Sequence, residues 1–230
     1  MKVSISGKDS DLAAVFFDLD GTLLNSTESL KGVFREFLAI FSIEYTDSLF
    51  QSFNGSTIPQ IVFSLRENFG LELEQDELIC RYKRMVAESY ADSSPYPGAC
   101  DLLEFLKLEG ITLALVTSSL NELVEPLLRK LSWQRYFEYV ITGDMVQCSK
   151  PAPEPYELVL KLAGKSPQQC LAIEDSTSGV RAAVAAGLPV LSVSSDPVDC
   201  GPLVEAGSFL MLHSLSAVKD FLHGNIVADD

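Results

Sequence analysis

Six short apolar runs punctuate the chain, at Ala13 to Phe17, Ile111 to Val116, Tyr139 to Ile141, Leu171 to Ile173, Pro189 to Val193 and Phe209 to Leu212. Short runs that are apolar throughout, without polar alternation, fit strands buried on both faces. Between the later runs lie amphipathic segments, Ala99 to Leu108, Leu120 to Leu131, Glu154 to Ala163 and Gly179 to Ala186. Strand and helix in alternation predict an α/β fold, a Rossmann-like parallel sheet with helices on both faces. The carboxyl ends of its strands then share one edge, the place where open α/β sheets bind ligands.

Between the first run and Pro95 the period changes. Leu30, Val33, Phe34, Phe37, Leu38 and Phe41 recur at helical spacing after Ser26 and Thr27, either of which can cap the helix. Ile58, Ile61, Val62, Leu65 and Phe69 repeat the pattern, as do Leu78, Tyr82, Met85 and Val86. These predict an inserted all-helical domain at 25–95 within a core made of 1–24 and 96–230. The return segment Ser93-Ser94-Pro95-Tyr96-Pro97-Gly98 has the prolines and glycine of a stiff hinge.

The polar residues that end the apolar runs carry the candidate chemistry. Asp18-Leu19-Asp20-Gly21-Thr22 ends the first, and residues two apart on a strand point the same way, so both acids face one pocket. One acid can attack while the other handles protons. Thr117-Ser118-Ser119 ends the second run with hydroxyl and backbone donors suited to phosphoryl oxygens. Lys150 precedes Pro151-Ala152-Pro153, a cation on a proline-stiffened turn before a helical segment. Glu174-Asp175-Ser176 ends a third strand with two adjacent acids. Taken singly, each has an ordinary reading as a turn, a cap or a surface charge.

In this order the four elements resemble the motifs of the haloacid dehalogenase superfamily, along nearly the whole chain, and the stretch from Glu174 to Gly187 is similar to the signature of its phosphatase and β-phosphoglucomutase-like branch. The resemblance implies that Asp18 attacks phosphorus to form an aspartyl-phosphate while Asp20 protonates the leaving oxygen and later deprotonates water. It implies Mg²⁺ at Asp18, the main-chain oxygen of Asp20 and Asp175, with Glu174 close by, and phosphoryl oxygens held by Thr117, Ser118 and Lys150. The helical insertion corresponds to the family's cap, in which Asn54, Ser56 and Thr57 are the candidates for substrate choice; Arg66, Arg81, Lys83 and Arg84 are more simply a solvated helix face.

Asp20 argues against dehalogenation, which needs no acid for a leaving alkoxide. The mutases carry a His in the first cap helix and a Lys and an Arg around a cap glycine, whereas Glu28-Ser29-Leu30 and Phe53-Asn54-Gly55-Ser56-Thr57-Ile58 stand in those neighbourhoods here. The expected activity is Mg²⁺-dependent hydrolysis of a small phosphorylated metabolite of the sugar or polyol phosphate class. A β-phosphoglucomutase-like phosphotransferase is the alternative, and a non-catalytic binding module a more distant one.

Composition narrows the picture further. A formal charge of −15 argues against nucleic acid as a partner and leaves any anionic substrate dependent on local cations. No apolar run approaches the roughly 18 residues of a membrane span, and Met1 to Ser10 is too polar for a secretory signal. A soluble, cytoplasmic monomer without a membrane partner is therefore expected. Cys80, Cys100, Cys148, Cys170 and Cys200 lack metal-site or disulfide spacing. His213 and His223 lie far in sequence from every candidate segment, which removes histidine chemistry.

Overall fold

A computed structural model of the chain describes residues 2–5, 8–194 and 201–225. It begins with an antiparallel hairpin, β1 (Lys2–Ile5) and β2 (Lys8–Asp11), in a stretch where the hydrophobic pattern predicts no strand. Strand β3 (Ala14–Phe17) follows and is buried along its length. A two-residue strand, β4 (Leu24–Asn25), leads into four helices: α1 (Thr27–Ile40), α2 (Asp47–Ser52), α3 (Ile58–Phe69) and α4 (Gln75–Asp92). The chain returns through β5 (Ser94–Pro95), which pairs antiparallel with β4. The stretch read as a hinge is thus partly strand, and the two crossings to the helical cap are hydrogen-bonded to each other.

Alternation then sets in: α5 (Ala99–Leu108), β6 (Thr112–Val116), α6 (Asn121–Lys130), β7 (Tyr139–Ile141), α7 (Glu154–Ala163), β8 (Cys170–Glu174), α8 (Thr177–Ala185), β9 (Val190–Val193), α9 (Gly201–Glu205), β10 (Leu210–Leu212) and α10 (Leu215–Gly224). The described residues form a six-stranded parallel sheet in the order β10-β9-β8-β3-β6-β7, the expected Rossmann-like core. Helix α8 starts at Thr177, slightly ahead of the predicted Gly179, because the Ser176 side chain accepts from the Gly179 N–H at 3.0 Å and caps it.

Side chains alternate across the sheet and make two different faces. Val15, Phe17, Leu113, Leu115, Leu171 and Ile173 join one cluster with Leu102, Leu103, Leu106, Val124, Leu128, Val218 and Leu222 of α5, α6 and α10. Ala14, Phe16, Ala114, Val116, Cys170 and Ala172 join a second with Tyr156, Val159, Val180 and Ala183 of α7 and α8. Small residues in the strands of this second face leave room for Tyr156, which is fully buried there.

The cap builds its own interior from aromatic rings. Phe34 of α1 stands against Phe50, Phe53 and Tyr82 at centroid separations of 5.6, 5.8 and 6.5 Å. Edge-to-face packing of this kind adds to the burial of large rings. Helix α4 meets α6 of the core, where Lys83 and Glu122 pair at 2.7 Å. None of the described helices is long and apolar enough to cross a membrane.

Leu103 is fully buried between α5 and the sheet, while Leu162 is 47% exposed on α7. Leu103→Ala is expected to lower the unfolding free energy by about 2–5 kcal/mol, and Leu162→Ala by no more than about 0.5 kcal/mol. Urea titrations followed by circular dichroism measure both.

Candidate active site

Register brings the first candidates together. Phe17 pairs with Leu115 on one side and Ile173 on the other, so the next residues, Asp18, Val116 and Glu174, lie abreast at the carboxyl edge of the three central strands. Lys150 joins them. Its Nζ donates to Asp18 Oδ1 at 2.7 Å, to the Val116 carbonyl at 2.8 Å and to Glu174 Oε1 at 2.5 Å. The Tyr156 hydroxyl also donates to Glu174 Oε1, at 2.7 Å. An ammonium so enclosed can remain charged only because carboxylates surround it. Burial acts to lower its pKa, and Asp18 and Glu174 more than offset that.

Lys150 follows no strand, and its reach comes from a pinned loop. The Glu154 carboxylate, at the start of α7, accepts from the backbone N–H groups of Gln147 at 2.9 Å and Cys148 at 2.7 Å. Those donors hold the Glu154 carboxyl below its ordinary range. The loop is thereby fixed just before the lysine.

The second motif acid has different company. Asp20 Oδ1 accepts from Ser26 Oγ at 2.7 Å, and Oδ2 accepts from Tyr90 OH at 2.6 Å and Ser119 Oγ at 3.0 Å. Burial and the Asp20 charge raise the Tyr90 phenol well above its usual pKa, keeping it a donor. Gly21, with φ of 91°, turns the chain directly after Asp20. A Cβ there would meet Asp175 Oδ2 at 1.9 Å, so glycine is required by backbone and by space together. Thr22, buried behind the turn, donates to Asp175 Oδ1 at 3.3 Å.

Asp18, Glu174 and Asp175 each offer an oxygen, all within 4.8 Å of one another. Burial pushes the Asp18 carboxyl up to about 7 despite Lys150, with Glu174 adding repulsion. Burial, then Asp18 and Glu174, pushes Asp175 well above the carboxylate range. With all three ionised, the carboxylates against one ammonium leave two negative charges, and a divalent cation that offsets them would also hold them in the ionised form. The donors are hard oxygens, the kind that Mg²⁺ and its relatives take. Gly179 lets α8 approach this cluster, since a Cβ there would meet the Glu174 carboxyl carbon at 2.0 Å.

A cavity of about 590 Å³ opens from Asp18, Asp20, Thr117, Lys150 and Asp175 into the cap. Thr117 is almost fully buried, and its Oγ1 accepts from the Ser119 N–H at 3.1 Å. Ser118 lines the cavity too, with its hydroxyl donated to the Gly55 carbonyl of the cap at 2.7 Å. Asn54 and Ser56 are lining residues. Thr57 is not: its main-chain N–H and hydroxyl both reach Gln60 Oε1, at 2.8 and 3.2 Å, to close the start of α3. None of Arg66, Arg81, Lys83 and Arg84 lines the cavity.

Sequence reasoning overlooked Tyr90, Tyr156 and Lys31. The tyrosines occupy apolar-periodic helix positions and read as core. Lys31 lines the cavity from α1 while pairing with Glu28 at 2.6 Å, and it looks like any surface lysine. His213 and His223 are exposed and do not line the cavity, and Cys80, Cys100, Cys148 and Cys170 are free. Cys200 lies outside the described residues.

Comparisons with known proteins find relatives over most of the chain. The chain is 31% identical over 207 residues to Phosphoglycolate phosphatase 1 of Pseudomonas aeruginosa, covering 87% of this chain and 76% of that one. It is 31% identical over 219 residues to Phosphorylated carbohydrates phosphatase of Thermotoga maritima, covering 92% and 100%. A solved Thermotoga maritima structure with a provisional beta-phosphoglucomutase assignment superposes with a TM-score of 0.71 at 29% identity, covering 91% of this chain and all of the other. Residues 15–193 match the model of the haloacid dehalogenase-like hydrolases, and the chain belongs to that family.

Proposed function

We propose that this chain is a phosphoric monoester hydrolase that cleaves a small phosphorylated metabolite through an aspartyl-phosphate on Asp18. The observation that carries the reading is the unequal treatment of two acids from one strand end: Asp18 rests on the Lys150 ammonium, whereas Asp20 rests on hydroxyls. A nucleophile must stay ionised, and an acid-base group must change protonation during the cycle. Phosphatase names among the relatives support the hydrolase assignment.

In this reading Asp18 Oδ2 attacks phosphorus while Oδ1 stays on Lys150. Asp20 gives its proton to the departing ester oxygen and then takes one from the water that releases phosphate. Thr117, the Ser118 backbone and Lys150 hold the equatorial phosphoryl oxygens, Lys150 by giving up its contact to the Val116 carbonyl or to Glu174, and losing one contact of this type costs about 3 kcal/mol of transition-state stabilisation. Asp18 and Asp175 would hold Mg²⁺ together with the main-chain oxygen of Asp20. Glu174 sits close by, its oxygens also engaged by Lys150, Tyr156 and Ser176. The ion, when bound, offsets repulsion between carboxylate and phosphate.

We take residues 1–24 and 96–230 as the catalytic core and 25–95 as the cap that sets substrate choice. Gln51, Asn54 and Ser56 of the cap line the cavity with groups suited to hydroxyls, which supports a sugar or polyol phosphate. The relative named for phosphorylated carbohydrates is consistent with that class.

Asp18→Asn should abolish phosphate release while circular dichroism stays unchanged, because an amide of similar shape does not attack phosphorus. Near-wild-type turnover would overturn the nucleophile. Mg²⁺ at a hundred times its dissociation constant should raise the melting temperature by roughly 5 to 10 °C. Asp175→Asn should lose most of that shift, and Ca²⁺ should bind without supporting turnover, its looser coordination spoiling in-line attack. An equal Mg²⁺ shift in the variant would remove Asp175 from the ligand set. With β-glucose 1-phosphate and catalytic glucose 1,6-bisphosphate, free phosphate should outpace glucose 6-phosphate; the reverse would favour the mutase.

A further inference from the structure

The cavity is much larger than a phosphoryl group. Its volume of about 590 Å³ is room for roughly twenty waters at about 30 Å³ each. Asp18, Thr117, Lys150 and Asp175 line it at the sheet edge, and most of the remaining lining comes from the cap. There the character changes. Leu30 of α1, Phe50 of α2, Phe53 just after it and Ile61 of α3 border the cavity and are only half-buried. Behind them the buried Phe34 backs the rings of Phe50 and Phe53 at centroid separations of 5.6 and 5.8 Å. The wall is held in place but not covered.

Helix α2 depends on that wall most, since its six residues are too few to stand alone and none of them is fully buried. The core supplies hydroxyls beside its acids, from Ser118, Ser119, Ser176 and Thr177, and its apolar lining is limited to Pro202 and Leu203. An apolar wall open to water forgoes the free energy of burial, and a ligand that lies on it recovers that free energy. A ligand made only of hydroxyls does not. Polar groups are threaded among the rings: along Phe50-Gln51-Ser52-Phe53-Asn54-Gly55-Ser56, two lining phenylalanines alternate with the lining side chains of Gln51, Asn54 and Ser56. One segment thus presents ring faces and hydroxyl partners side by side, the mixture by which ligand pockets bury a molecule and fix its orientation.

We propose that the organic part of the substrate is a sugar or polyol that carries a planar aromatic ring, its hydroxyls meeting Gln51, Asn54 and Ser56 and its ring lying on Phe50 and Phe53. The proposal rests on the hydrolase reading of the site and narrows its substrate class. Such an ester is a nucleoside 5′-monophosphate when the ring sits on a cyclic sugar, or a flavin mononucleotide when it sits on an open polyol. The chemistry at the wall is the same for both. Aromatic side chains accept any ring of this kind, because each has a π face to stack or to meet edge-on.

The test compares kcat/KM, with Mg²⁺ present, within two pairs that differ by the ring: adenosine 5′-monophosphate against ribose 5-phosphate, and flavin mononucleotide against ribitol 5-phosphate. Both members of a pair release a primary alcohol, so a difference between them reports contact with the leaving group rather than its basicity. In one pair at least, the ring-bearing ester should be favoured on the order of tenfold, the effect of a base stacked on an aromatic side chain. Which pair shows it decides between the cyclic and the open linker. Phe50→Leu and Phe53→Leu keep apolar bulk but remove the ring, and each should cut that preference by about threefold or more, chiefly through KM for the ring-bearing ester. Phe63→Leu, at a residue 54% exposed on α3 that does not line the cavity, should leave it unchanged. Ringless esters hydrolysed as well as their partners overturn the proposal and leave the hydrolase reading standing. So does an unchanged preference in Phe50→Leu and Phe53→Leu, or a loss equal for both members of the pair, which assigns these rings to packing alone. No phosphate release from any of the four esters also overturns it. If acetyl phosphate, an activated donor without a ring, is left intact as well, the hydrolase reading falls too.

Discussion

The three contacts of the Lys150 ammonium, to Asp18, Glu174 and the Val116 carbonyl, join the carboxyl ends of β3, β8 and β6 at one point. Three adjacent parallel strands present acids and a carbonyl at a buried edge, and without a cation these oxygens would repel. Removing one partner of a buried ion pair costs about 3–5 kcal/mol, because the other charge is left uncompensated. Lys150 is therefore a condition for the edge to exist as well as a group within it. The remaining imbalance, two negative charges, fits the charge of one divalent ion.

That constraint propagates outward. Glu154 fixes the backbone at Gln147 and Cys148, so the loop before Lys150 is held by a half-buried residue while its load is fully buried. Tyr156, two residues further on, reaches Glu174 from the small-residue face of the sheet. One turn of α7 thus supplies both the loop restraint and the second donor to Glu174. Gly179 and Gly21 complete the arrangement by letting α8 and the first-motif turn close on the same carboxylates.

Much of this was legible in the sequence, for definable reasons. Strands buried on both faces leave unbroken apolar runs, and Leu113 to Val116 and Leu171 to Ile173 lie inside β6 and β8. Amphipathic segments gave α5 and α7 with the boundaries observed. The hairpin at Lys2 to Asp11 and the pair β4 and β5 left no trace, since their strands are only two to four residues long, too short for an alternation to stand out. Helix α2 is six residues long, too short to show a period. Acids at strand ends are conspicuous, but Tyr90 continues the series Tyr82, Val86 as one more core residue, and only three-dimensional packing reveals where its hydroxyl goes. Thr57 shows the converse: a polar residue beside a cap glycine proved to serve its own helix.

The pairing of β4 with β5 means that the chain leaves the core and re-enters it at neighbouring points. Everything between is a loop whose ends are already closed, so its length and sequence are nearly free of the sheet's requirements. Such a junction makes the helical unit exchangeable. Replacing the four helices changes the cap side of the cavity and leaves the acid-bearing edge of the sheet intact. At the joint itself a hydroxyl arrives beside Asp20 from each side, from Ser26 on the way out and from Tyr90 on the way back, so this contact crosses the boundary that an exchange would cut.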